Sequence, residues 1–102
     1  MPNSKRFPTV TKVEKSTLRR AYKFFREQLS AIPQIRYIAA YLQDDLIHFW
    51  TIIPERVREV QRKIYNAELE LMDHSPTFSY DFNVIFCPGD FTTLLPSEAQ
   101  FI

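Results

Sequence analysis

Glycine is almost missing from this sequence: Gly89 is the single one among 102 residues. Phosphate-cradling loops of the P-loop and dinucleotide-binding types need several glycines for close backbone approach, so both are excluded. The Gly-x-Ser-x-Gly elbow of α/β-hydrolases falls for the same reason. Cysteine is equally scarce. Cys87 alone forms no internal disulfide and no cysteine-rich zinc or iron–sulfur centre. Long apolar runs are missing too: the longest, Tyr37 to Leu42, falls far short of the roughly 20 residues that span a bilayer. No apolar stretch follows the Met1–Arg6 start, so no secretory signal is expected, and a lone thiol fits a reducing, cytoplasmic setting.

What is present is the material of one small core. The chain is shorter than the roughly 150 residues typical of a domain, so residues 1–102 are expected to form a single domain, with 1–10 as a flexible basic arm. Nine Phe, five Tyr and one Trp supply enough apolar area to argue against disorder. The net charge of +1 hides a split. Residues 1–30 carry eight Lys or Arg against Glu14 and Glu27, a local +6, while the remainder is −5. Such asymmetry makes the first segment a candidate nucleic-acid surface, although charge blocks more often form a solvated face or pair within their own fold.

Prolines 33, 54, 76, 88 and 96 fall between segments of different periodicity, as breakers should. Thr11-Lys-Val-Glu14 fits a capping box. Leu18, Tyr22, Phe25, Leu29 and Ile32 then recur at helical spacing, with Lys12, Lys15, Arg19, Lys23 and Arg26 as a second, basic stripe and Pro33 as the stop. Ile35–Leu42 and Leu46–Ile53 are rich in β-branched and aromatic residues and read as a hairpin turning at Asp44-Asp45. That turn pairs Ala40 with Phe49, Ala39 with Trp50 and Tyr41 with His48. One face then carries Ile38, Ala40, Leu42, Ile47, Phe49 and Ile53, and the other Tyr37, Ala39, Tyr41, His48, Trp50 and Ile52.

Pro54 is placed to open a second helix, whose apolar face is Val57, Val60, Ile64, Ala67 and Leu71, with Glu59 and Lys63 as an outer i,i+4 pair. Phe78–Phe86 alternates strictly and reads as a half-buried strand. Cys87-Pro-Gly-Asp90 suits a type II turn, Asp90 is placed to cap a short helical turn, and Ala99–Ile102 suits a brief edge strand. The expected fold is therefore α+β: a two-layer sandwich in the order α-β-β-α-β, with a short fourth edge strand possible. Both helices would cover one face of a small antiparallel sheet, with the third strand beside the first.

Tyr37, Tyr41, His48, Trp50, Asp81 and Asn83 would share the uncovered face. A His beside an Asp is the minimum for acid–base chemistry, which makes His48 and Asp81 weak catalytic candidates, yet no nucleophile or oxyanion hole accompanies them. Asp73-His74 lacks any zinc spacing, so neither a metal nor another cofactor is expected. Glu68 breaks the apolar arc of its helix. It is a candidate buried charge, expected to be paired with Arg36 or a base of the first helix. An aromatic sheet face rarely stays bare on a soluble monomer. The favoured function is accordingly a non-enzymatic protein-interaction module that self-associates, as a homodimer or larger homo-oligomer, or docks a protein partner through that face. The alternatives are nucleic-acid binding by the basic helix and a small His/Asp enzyme. No membrane association is expected.

Overall fold

The computed structural model describes residues 15–102; the N-terminal arm, the Thr11–Glu14 capping box and Lys12 lie outside the described residues. Two helices and four strands follow in the order α1 (Lys15–Leu29), β1 (Tyr37–Gln43), β2 (Leu46–Ile53), α2 (Arg58–His74), β3 (Ser79–Phe86) and β4 (Gln100–Phe101), with a short 3-10 turn at Thr92–Leu94. The α+β two-layer architecture and the element order match the sequence pattern. Both helices bury their apolar stripes on one sheet face. Ala21, Phe25 and Leu29 of α1 and Val60, Ile64, Ala67 and Leu71 of α2 close over Ile38, Ala40, Ile47, Phe49 and Ile53.

The hairpin forms in the expected register, with Ala40 opposite Phe49 and Tyr41 opposite His48. Gln43 pairs with Leu46, so Asp44 and Asp45 alone make the loop. Asp44 has φ 58°, a left-handed conformation that Asp tolerates better than most residues and that suits a tight hairpin.

The sheet is mixed rather than antiparallel. Its order is β3-β2-β1-β4, and β3 runs parallel to β2 instead of lying beside β1. A return through α2 fixes the direction of β3 but is compatible with either edge of the hairpin. Beside β2, Phe82 reaches both Phe49 (ring centroids 5.9 Å) and Phe25 (5.6 Å), and the outer edge of β1 is left for β4.

Three local expectations also change. α2 begins at Arg58 with Val57 as its N-cap, so Pro54 belongs to the connection. Gly89 has no positive φ, which rules out the type II turn at Cys87–Asp90. Glu59 and Lys63 form no ion pair; among the described residues the i,i+4 pair is Lys23–Glu27 in α1, at 3.9 Å. Asp90 does hold the 3-10 turn: its Oδ1 accepts the Thr92 N–H at 3.0 Å and the Thr92 hydroxyl at 2.7 Å.

Candidate functional site

Alternation along the strands places Tyr41 of β1, His48 and Trp50 of β2, and Asp81 and Asn83 of β3 on the face away from the helices. The parallel ladder puts His48 directly beside Asp81. Imidazole Nδ1 lies 2.8 Å from Asp81 Oδ2. An ionised carboxylate only accepts, so Nδ1 carries the proton and donates. The Asn83 amide donates to the same Oδ2 at 3.1 Å and to the Phe49 carbonyl at 3.2 Å. These bonds hold the Asp81 carboxyl below its usual range, the His48 bond contributing most and Asn83 next.

On its other side, His48 Nε2 is 3.1 Å from Gln43 Oε1. The Gln43 amide can turn to accept from a protonated ring or to donate to a neutral one. The imidazole is stacked between neighbours, with Tyr41 at 5.9 Å and 14° and Trp50 at 6.0 Å and 23° between centroids and ring planes. The product is a flat row, Tyr41–His48–Trp50, edged by the Asp81 and Asn83 polar groups. Both ring nitrogens are engaged within the domain. The Asp81 bond fixes a tautomer and an orientation of the ring.

Among the described residues the predicted face is covered at one end and partly exposed at the other. Tyr37 joins a different cluster, with Phe91 at 5.0 Å and Phe101 at 5.4 Å. The Arg36 guanidinium lies 5.7 Å from the Phe91 ring and donates to the Cys87 and Gly89 carbonyls at 3.2 and 3.1 Å. The segment after β3 is thereby strapped across one end of the face, where Ala39 and Ile52 are fully buried. The sequence reading assigns Arg36 to Glu68 and Phe101 to an edge strand, and gives Phe91 no role; it does not foresee that the three meet over Tyr37. The available signal was an apolar residue, Phe91, isolated in a Pro/Gly/Asp-rich turn.

Glu68 is half-buried on α2, and burial pushes its carboxyl up to about 7. Arg36, expected as its counter-charge, serves the C-terminal strap instead, and among the described residues no base lies within ion-pair distance of Glu68. The basic residues Lys15, Arg19, Lys23 and Arg26 are all exposed on α1. His74 stacks on Phe24 with centroids 3.9 Å apart and bonds Ser75 Oγ at 3.0 Å, which accounts for it as part of a helix end. Among the described residues no helix is long and apolar enough to cross a membrane. Comparison with known proteins finds no matching family model, no matching curated protein and no matching solved structure.

Proposed function

We propose that this domain is a non-enzymatic interaction module of the cytoplasm that docks a protein partner on the partly exposed end of its sheet face. The observation that carries this reading is the Tyr41–His48–Trp50 row. Three flat rings are held rigid by stacking and by the His48–Asp81 bond, and they remain partly open to solvent. Rigid aromatic groups lose little conformational entropy on binding and are enriched at interface cores. Asp81 and Asn83 supply the polar rim that gives such a surface its register.

The strap across the Tyr37 end reduces the face that the sequence alone offers as a homodimer seam. The remaining patch suits a docked segment of another protein. The test is the mass of the chain in an extract of its native cell, compared with that of Tyr41→Ser/Trp50→Ser. The wild type is expected to elute in a larger complex from which the double variant is lost, with unchanged circular dichroism. Equal elution of the two folded proteins overturns the proposal.

A further inference from the structure

Among the described residues β3 is an edge strand with no strand on its outer side. Its Ser79 and Cys87 N–H groups point toward β2, bonding Asp45 and Ile53 carbonyls at 2.9 Å. By alternation, the outward N–H and C=O groups belong to Tyr80, Phe82, Val84 and Phe86. The side chains of these four reach the core yet stay only half-buried. Natural edges are usually blunted by proline, lysine, a bulge or brevity. Ser79–Phe86 is eight residues long, contains no Pro, Lys or Arg, and pairs with β2 without a bulge.

The helix above continues this unfinished surface. Residues flanking α2 tie it to β3 on both sides: the guanidinium of Arg56, in the connection before the helix, lies 4.4 Å from the Phe86 ring centroid, and the Tyr80 hydroxyl donates to the carbonyl of the C-cap Ser75 at 2.6 Å. By helical spacing from the buried stripe, the flank of α2 opposite Lys63, Asn66 and Glu70 exposes Tyr65 (58%) and Met72 (39%), and Leu69 (39%) lies next to them on the outer surface.

We propose that a second copy of this chain docks edge to edge along β3, joining the two sheets into one, with the two α2 helices side by side above the seam. A two-fold axis perpendicular to the sheet makes the strands antiparallel and keeps both helical layers on one side. Midway between the two ties, the strand reaches Asn83 and the helix reaches Tyr65, so one axis serves both layers. Centred on Asn83, the pairing sets Phe82 against Val84 and Tyr80 against Phe86 of the second copy. These are the residues whose backbone groups point outward, so each such pair exchanges two hydrogen bonds.

Charge selects the same occupant. The exposed bases Arg58 and Arg62 lie in the first half of α2, and Glu68 lies in the second. Antiparallel packing about Tyr65 brings Arg62 level with Glu68 of the second copy, with Arg58 about one turn beyond. The carboxylate without a base among the described residues thus finds one across the seam. The inference is independent of the docking face, which stays free on the far side of the joined sheet.

Sedimentation of the full chain tests it. The wild type is expected to be a dimer at micromolar concentration. Arg62→Glu alone and Glu68→Arg alone each set like charges together and weaken self-association about tenfold or more. An equimolar mixture of the two variants recovers the dimer, because one copy then offers two acids and the other two bases. Tyr65→Lys, at an exposed position on the axis, gives a monomer even if Glu68→Arg proves unstable. A wild type that is monomeric at high micromolar concentration overturns the inference. So does a dimer indifferent to both Tyr65→Lys and Arg62→Glu.

Discussion

His48 and Asp81, 33 residues apart in sequence, face each other at one level of the β2–β3 ladder and share a 2.8 Å hydrogen bond. Because this bond lowers the Asp81 carboxyl, it links the rigidity of the aromatic row to pH. A depressed folded pKa gives stability that is present above the unfolded value near 3.8 and lost as pH falls through the lower folded value. The side chain is 48% exposed, so solvent screening keeps the contribution below about 1 kcal/mol. Asp81→Asn should lower stability at pH 7 by that small amount and lessen the loss below pH 4, as read from urea melts. An unchanged profile would show that the bond adds nothing.

Glu68 behaves in the opposite sense. Burial raises its carboxyl from 4.5 to about 7, so the unfolded chain releases the proton first. Its contribution is full below pH 4.5 and declines as pH rises toward 7, by about 1–2 kcal/mol after allowance for partial exposure. In solutions dilute enough to be monomeric, Glu68→Gln should remove this decline between pH 4.5 and 7. A wild-type curve that instead falls on acidification over that window would mean the carboxylate is paired.

The strap across the sheet depends on Arg36. Its guanidinium bonds two carbonyls and lies near two rings. Arg36→Ala should cost about 1–2 kcal/mol and, more specifically, speed hydrogen exchange at the Leu94 and Ile102 amides, whose acceptors are Phe91 and Ile38. Exchange that is no faster at these two sites would mean that packing of Phe91 alone retains the strap.

For the basic helix, Lys15, Arg19 and Lys23 are exposed, and the one ion pair among them, Lys23–Glu27, is long and solvated. Replacing all three with Gln should leave circular dichroism intact and change stability by less than about 1 kcal/mol per site. A collapsed melting transition would show that this stripe packs against the domain.

Helices, hairpin register and the helix-covered face were legible because each is written locally. Period 3.6 marks Phe25 and Leu29, period 2 marks Phe78–Phe86, and the Asp44-Asp45 turn fixes Tyr41 against His48. The neighbour of β3 was not legible, since α2 can return the chain to either edge of the hairpin. The His48–Asp81 pair nevertheless forms, because alternation alone puts both on one face and the β2 edge makes them adjacent. The strap was hidden for a different reason: Phe91 acts through Tyr37 and Phe101, contacts that no spacing rule encodes. Glu68 stood out as a breach of its helix pattern, but whether desolvation or a partner governs it depends on where Arg36 goes.

The central claim, a docking face at the Tyr41–His48–Trp50 row, is tested most directly by a photo-crosslinking side chain placed at Tyr41 of the full chain in its native cell, with the same group at Arg19 as the comparison. The account predicts a discrete protein adduct from position 41, larger than a pair of the chain's own 12.1 kDa copies, and none from position 19. Adducts to nucleic acid from position 19, with none from position 41, would contradict it.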